Sequence, residues 1–244
     1  MVTHRSYAKA PITEAVIDIR ISHDGERRIT DLASLASPLD ALGYSQQRVL
    51  QEAIGEFRLG PQVGASAQTL PVGYLFSGEE GRNLLQVRVN GFALSRLTPY
   101  TNWSSFREEA RRLFSLYWDV TTPSRLTRLA VRYINRFDLP SPPVEVNQFF
   151  TLRPEAPETI RTMTGFYMQL RVDQDDIMAS ALINQALVEP TTPNVASVIL
   201  DIDVFRTEEI GSYEEIWPLL DVLRNREYLI FESSITDKAR ELIS

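Results

Sequence analysis

The sequence predicts an α+β fold in which one large twisted antiparallel sheet is arranged as two repeated meander-plus-helix halves. Three observations lead to this prediction. Short segments of alternating apolar and polar residues are joined by turn sequences, amphipathic helices follow these segments, and the same order recurs after a proline-rich connection. We expect the halves, residues 1–140 and 158–244, to belong to a single domain spanning 1–244.

The first half opens with a strand predicted over Glu14–Ser22, where Ala or Ile occupies every second position. A helix is predicted next, over Asp31–Leu42, because leucines recur there at helical spacing. Pro38 is expected to bend or split this helix, since proline lacks the N–H that a helix interior needs. A further strand is predicted over Arg48–Leu59, although apolar and polar residues alternate poorly there.

A hairpin is predicted where Val72–Phe76 and Leu84–Val89 flank the turn sequence Ser77–Gly81. Phe92–Leu97 adds another strand after a second turn. The best-defined helix follows over Asn102–Trp118, with one apolar side and one charged side. Its apolar stripe comprises Trp103, Phe106, Ala110, Leu113, Phe114 and Tyr117.

The second half follows a long strand predicted over Arg125–Phe137 and a connection from Ser141 to Pro157 that is rich in proline. Three further strands are predicted over Thr164–Val172, Ala179–Val188 and Val195–Phe205. A helix is then expected from Tyr213 to Arg224, and Thr236 is suited to cap a short terminal helix.

Composition limits the classes of function. The chain has 244 residues, no cysteine and a net charge of −7, so cysteine-ligated metal sites are excluded and non-specific coating of nucleic acid is disfavoured. No apolar run is long enough for a membrane span, and the N-terminal residues lack the apolar stretch of a signal peptide. We therefore expect a cytoplasmic protein with no cofactor and no membrane partner.

Four segments together resemble a family of uncharacterised proteins distributed sporadically among bacteria and archaea. The segments are Ala10–Val16, Asn90–Leu97 with Pro99, Tyr100 and Trp103, Leu129–Arg136, and Phe231–Asp237. The Arg-Tyr-Ile-Asn-Arg string ending at Arg136 is the most specific of these motifs. The resemblance implies no known activity or catalytic residue, and its sporadic distribution associates the family with mobile or defence-related genes.

An arginine stripe, defined as Arg128, Arg132 and Arg136, is predicted on one face of the Arg125–Phe137 strand. Two interpretations are open. Glu14 and Asp18 share a face of the first strand and are candidates to pair with these arginines. Alternatively, the stripe contacts phosphates of a nucleotide or nucleic acid.

Two further polar residues are candidate ligand contacts. Tyr100 is available to stack on a base near the stripe, as is Tyr133. Asn135 falls on the apolar face of its strand, where a buried amide must be fully hydrogen-bonded. It is therefore expected to bridge to the backbone of a loop or strand end, or to contact a ligand through its amide.

Asp201 and Asp203 lie on one face of a strand and are the candidate ligands for a magnesium ion in phosphate-ester chemistry. No third acidic ligand or glycine-rich phosphate loop accompanies them. His4 and His23 occupy a tail and a turn, without the company that a catalytic histidine needs. The sequence thus favours a non-catalytic binding protein, acting through a protein partner, self-association or a nucleotide-type ligand.

Overall fold

A computed structural model describes residues 4–58, 64–140, 145–155, 157, 159, 164–208 and 210–244. Within these residues, nine strands form one antiparallel sheet in the order β2-β3-β4-β5-β1-β6-β9-β8-β7. The strands are β1 (Ile12–Ser22), β2 (Gln46–Arg58), β3 (Gly64–Gly78), β4 (Asn83–Arg88), β5 (Gly91–Leu97), β6 (Arg125–Pro140), β7 (Tyr167–Gln174), β8 (Ala179–Val188) and β9 (Val195–Arg206). The helices are α1 (Ala36–Asp40), α2 (Trp103–Thr121), α3 (Ile216–Ser234) and α4 (Asp237–Ile243).

The predicted α+β class and large antiparallel sheet are confirmed. Each predicted strand agrees with an observed one to within a few residues at its ends, except that β3 begins at Gly64, eight residues before the predicted Val72. The repetition of a meander-plus-helix plan in two halves stays a prediction. Part of the proline-rich connection, residues 141–144, lies outside the described residues. No helix among the described residues has the length and hydropathy to cross a membrane.

Two predicted helices differ from the observed ones. The segment predicted over Asp31–Leu42 is split into a 3-10 helix, Ile29–Leu35, and the short α1, which contains Pro38. The helix predicted to end at Arg224 runs ten residues further, because α3 ends at Ser234. This second error hid a buried acidic residue, Glu227.

The chain folds into two compact units. One contains Asp18–Ser95 and Trp103–Thr127. Its α2 buries an aromatic stripe in which the Phe92 ring packs against the rings of Phe114, at 5.2 Å, and Tyr117, at 5.8 Å. The Tyr117 hydroxyl donates to the Arg88 carbonyl at 2.9 Å, so its one polar atom is satisfied.

The other unit contains Met1–Ile17, Arg96–Asn102 and Arg128–Ser244. Strands β6, β9, β8 and β7 are neighbours in it, and their pairing registers put alternate residues of all four strands on the same side. We name the two sides the covered face and the open face. The covered face carries Val131, Tyr133, Asn135, Phe137, Ala181, Ile183, Gln185, Val198, Leu200, Ile202, Val204, Met168, Leu170, Val172 and Gln174.

Helix α3 packs on the covered face, where the Phe231 ring stacks on the Phe137 ring with centroids 6.3 Å apart. The β9 residues of this face are fully buried. The opposite, open face reaches solvent. It carries Arg128, Arg132, Arg136, Ser197, Asp201, Asp203, Phe205, Ser180, Asn184, Tyr167, Gln169, Arg171 and Asp173.

Candidate functional site

The centre of the open face is an ion pair between neighbouring strands. Arg132 of β6 donates from Nε and Nη2 to the two oxygens of Asp201 on β9, each at 2.7 Å. Asn184 of β8 donates to Asp201 Oδ2 at 3.0 Å. A bidentate guanidinium–carboxylate pair fixes both side chains in one orientation, so the carboxylate is held between strands on either side of it.

The hydrogen bonds continue outward from Asn184 to the last strand. The Asn184 Oδ1 atom accepts from Gln169 Nε2 at 2.8 Å and from the Tyr167 hydroxyl at 3.1 Å. Gln169 also donates to the Tyr167 hydroxyl oxygen at 2.9 Å. These five residues form a polar ladder across four strands, and it ends at Tyr167, which is 67% exposed.

A second cluster lies one step along the same face. Arg128 donates to Asp203 Oδ2 at 2.7 Å, and its guanidinium lies 4.7 Å from the centre of the Phe205 ring. The guanidinium of Arg171 lies 5.7 Å from the same ring. Phe205 is therefore the aromatic side chain beside the arginines, held by cation–π contacts.

Arg136 completes the arginine stripe and is engaged on β6, β9 and a loop. It donates to Asp138 Oδ1 at 3.1 Å, to the Ser197 hydroxyl at 2.7 Å and to the Glu189 carbonyl at 3.2 Å. Each arginine of the stripe thus has an aspartate partner, as one of the two interpretations of the sequence predicts.

The partners themselves differ from those expected. Asp18 pairs with Arg20 at 2.8 Å. Glu14 remains close enough that its charge contributes to raising the pKa of Arg132, although the largest contribution is the hydrogen bond to Asp201. The stripe is paired mainly with aspartates of β9 because β9 adjoins β6 in the sheet.

Asn135 and Tyr100 are not part of this face. Asn135 is buried on the covered face and donates to the Leu200 carbonyl at 3.2 Å. Its amide therefore bridges to backbone, but to the middle of β9 and not to a loop or strand end as expected. The Tyr100 hydroxyl lies 2.9 Å from the hydroxyl of Tyr133, whose ring it meets edge-on. Since Tyr133 is also buried, it is not exposed for stacking beside the arginine stripe.

The buried tyrosines share their surroundings with Glu227 of α3, a residue that is only 5% exposed. Burial raises the pKa of Glu227 to about 8, while the nearby charge of Arg224 opposes this rise. Burial likewise raises the pKa of Tyr100 to about 12 and that of Tyr133 well above its usual value. At neutral pH the Glu227 carboxyl is therefore mostly protonated, so it is a hydrogen-bond donor and carries no charge.

Metal-binding residues do not converge in the part of the chain that the structure describes: no group of three His, Asp or Glu side chains there is placed to hold an ion. Both oxygens of Asp201 are already hydrogen-bonded, and Asp203 accepts from Arg128. His23 contacts the Val89 carbonyl at 3.0 Å, and His4 contacts the Asn225 side chain at 2.8 Å.

A recess of about 390 Å³ opens on the open face near the C-terminal end of β7, where Asp173 lies. Arg171 and Phe205 form part of its wall, together with Met178, a large apolar side chain that is more than half exposed. Acidic side chains, Asp173 among them, also line it. Most of its other lining residues are polar or charged, so the recess offers a partner side chain an aromatic contact together with charged groups.

Sequence reasoning missed the outer half of this site. Tyr167, Gln169 and Asn184 were inside correctly predicted strands, but their meeting depends on the registers of β7 with β8 and of β8 with β9. Glu227 had a usable signal, since it continues the buried spacing of Leu220 and Leu223 on α3.

No protein-family model and no curated protein sequence matches this chain. The resemblance to a sporadically distributed prokaryotic family therefore stays a prediction from the sequence motifs.

Proposed function

We propose that the protein is a non-catalytic binding protein that engages a protein partner through the open face. The observation that carries this proposal is the polar ladder from Arg132 to Tyr167, which holds an exposed aromatic ring in place by hydrogen bonds. A contact residue that is fixed before binding loses less conformational entropy on association.

The pairing of the arginines with aspartates favours a protein partner over a partner that carries phosphate groups. The charges of Arg128 and Arg132 face aspartates at 2.7 Å, so little positive field is left to attract a polyanion. Phosphate binding by Arg132 would also require breaking its bidentate pair with Asp201. Binding of nucleotides or nucleic acid through the stripe, and phosphate-ester chemistry at Asp201 and Asp203, remain the alternatives to be tested.

The recess and Tyr167 supply the hot spot that a protein interface needs. Tyrosine and arginine are enriched among residues that dominate binding energy. Both types are present on the open face of β7, as Tyr167 and Arg171. We infer that a partner side chain enters the recess against Phe205 while Tyr167 makes a separate contact with the partner. The registers place Tyr167 opposite Ala186 and Phe205 opposite Ser180, so the two contacts lie about 20 Å apart along the sheet. A cytoplasmic setting, two repeated halves and a mobile or defence-related gene context belong to this proposal and await their own tests.

The test is affinity capture from the native host, with proteins and small molecules identified by mass spectrometry. The variant Tyr167→Ala with Phe205→Ala is expected to lose the captured protein. The matched control, Leu242→Ala with Arg153→Ala, removes exposed side chains elsewhere and is expected to retain it. A single cooperative melting transition well above the temperature of the capture experiment would show that each variant is folded.

Two results would overturn the proposal. One is a protein retained equally by the open-face variant and the control. The other is co-purification of a nucleotide or nucleic acid that is lost in Arg132→Ala, because that result assigns the arginine stripe to phosphate recognition.

A further inference from the structure

The sheet ends at β7, an edge strand of eight residues. Within the described residues, no strand pairs with its outer side. Its side chains alternate: Met168, Leu170 and Val172 lie on the covered face, whereas Gln169 and Arg171 lie on the open face. A long unpaired edge with one apolar side is a template for a further strand.

The hydrogen-bond phase of β7 shows which residues are free to pair outward. Leu187 of β8 donates its N–H to the carbonyl of Phe166 at 3.1 Å, so Phe166 and Leu187 form a hydrogen-bonded pair. These pairs alternate along an antiparallel ladder. The backbone groups of Tyr167, Gln169 and Arg171, and those of Asp173, therefore point away from β8.

We propose that β7 pairs antiparallel with β7 of a second copy of this chain, with Leu170 opposite Leu170 at the two-fold axis. In this register Gln169 faces Arg171 of the second copy, and Tyr167 faces Asp173 of the second copy. The four outward-facing residues then form four hydrogen-bonded pairs, about eight backbone hydrogen bonds at two bonds per pair.

Side-chain chemistry selects this register over its neighbour. Keeping the apolar side continuous requires residues of the same face to oppose each other, so the nearest alternatives centre on Gln169 and on Arg171. The Gln169-centred register pairs only three of the four outward-facing residues, about six backbone hydrogen bonds instead of eight. The other alternative is the Arg171-centred register. That alternative places two guanidinium groups directly opposite one another, which is destabilising. The Leu170-centred register instead opposes a guanidinium to an amide, and a hydroxyl to a carboxylate.

The covered side of the edge provides the apolar part of the interface. A recess of about 280 Å³ lies between β7 and α3, with Val172, Ile183 and Ile230 among its lining residues. Val172 is 40% exposed. In the proposed register Met168 of the second copy lies opposite Val172, where a flexible thioether side chain is suited to fill an irregular recess.

Cysteine cross-linking tests the register directly, because the native chain contains no cysteine. Leu170 and its copy would form a non-hydrogen-bonded pair, with Cα atoms about 4.5 Å apart, within reach of a disulfide. We expect Leu170→Cys to give a covalent dimer under mild oxidation. The control Arg171→Cys is expected to stay uncross-linked, because its copies lie beyond the roughly 7 Å limit. Cross-linking of Arg171→Cys alone would overturn the register.

Charge variants at Gln169 test the same register without oxidation. Gln169→Glu would face Arg171 of the second copy and is expected to tighten the dimer roughly 2- to 30-fold, whereas Gln169→Arg is expected to weaken it. In the Arg171-centred register Gln169 faces Asp173, so the two variants would exchange their effects. Sedimentation equilibrium gives the dissociation constants.

The wild-type mass decides whether a second copy occupies the edge at all. Light scattering should report twice the chain mass of 27.8 kDa. A monomer at a concentration of several hundred micromolar, with no cross-link from Leu170→Cys, would overturn the proposal and leave the edge to an extended segment of another protein. The two proposals fail separately, because the mass of the wild-type chain reports only on self-association, whereas the capture experiment reports on a different protein.

Discussion

The covered and open faces belong to the same four strands, yet they treat polar side chains in opposite ways. On the covered face Asn135 donates to backbone, and Tyr133 shares its hydroxyl with Tyr100. On the open face Arg132 and Asp201 pair across strands, and Asn184 connects this pair to Gln169 and Tyr167. Period-two alternation places these two chemistries on adjacent residues of β6.

This difference makes the open face the better candidate for a binding surface. Asn135 and Tyr133 on the covered face are buried and hydrogen-bonded within the protein. Gln185 is buried there too, and its two side-chain polar atoms have no hydrogen-bond partner among the described residues. None of these three side chains is accessible to a binding partner from solvent. Those on the open face are held in place and still reach solvent: the Arg132 side chain is 43% exposed although it is bidentate to Asp201. A rigid and accessible polar surface is the better candidate for recognition.

The largest expected difference between the faces is in packing. Phe137→Ala on the covered face should lower the free energy of unfolding by about 3–5 kcal/mol, because its ring packs against Phe150 at 5.2 Å and against Phe231. Phe205→Ala on the open face should cost less than about 1.5 kcal/mol, mostly its contact with Arg128. Urea denaturation measures both, and equal losses would contradict the distinction between the faces.

Removing one arginine tests the pairing on the open face. Arg132→Ala leaves the carboxylate of Asp201, whose side chain is 8% exposed, without its bidentate donor. We expect a loss of about 1–3 kcal/mol. The control is Arg153→Ala, which breaks a pair with exposed Glu155 and should cost less than about 1 kcal/mol. Similar losses for the two variants would mean that the Asp201 pair contributes little.

Glu227, the buried acidic residue of α3, gives a pH-dependent prediction. The folded-state pKa of Glu227 is about 8, above the usual 4.5, so the folded protein keeps a proton that the unfolded chain releases. Its contribution to stability is therefore complete below pH 4.5 and is lost as pH rises towards 8, by about 1.4 kcal/mol per pH unit. Glu227→Gln removes this slope, so its stability relative to wild type should increase between pH 5 and 8.

Melting curves at several pH values measure this effect. The comparison is the variant minus wild-type difference, which cancels the titration of other groups. A difference that stays constant from pH 5 to 8 would show that Glu227 ionises normally in the folded protein.

The smallest expected effect is that of divalent metal. Asp201 and Asp203 already accept hydrogen bonds from arginines, so magnesium, manganese or a chelator should leave the melting temperature unchanged. Stabilisation by a divalent ion that disappears in Asp201→Asn would favour the phosphate-ester enzyme over the binding protein.

Local patterns in the sequence were sufficient to predict the strands and the two faces of β6. Alternation assigned Arg132 and Asn135 to opposite sides, and both assignments hold in the structure. The partner of Arg132 was not predictable in the same way. Glu14 and Asp201 are both acidic residues on strands, and only the strand order and register select Asp201.

The end of α3 shows a second kind of limit. Arg224, Asn225 and Arg226 interrupt the apolar spacing, which favoured ending the helix there. Tertiary contacts outweigh that local signal, because Phe231 packs against Phe137 one and a half turns further on. Reading through the interruption would have placed Glu227 in the buried stripe.

Titration with a single-stranded oligonucleotide at two salt concentrations tests whether aspartates neutralise the arginines of the open face. We expect no binding by the wild type. We expect salt-dependent binding by Asp201→Asn with Asp203→Asn, because the guanidinium charges of Arg128 and Arg132 are then no longer balanced. Wild-type binding whose affinity falls with salt, and whose salt slope flattens by about one unit in Arg132→Ala, would contradict it.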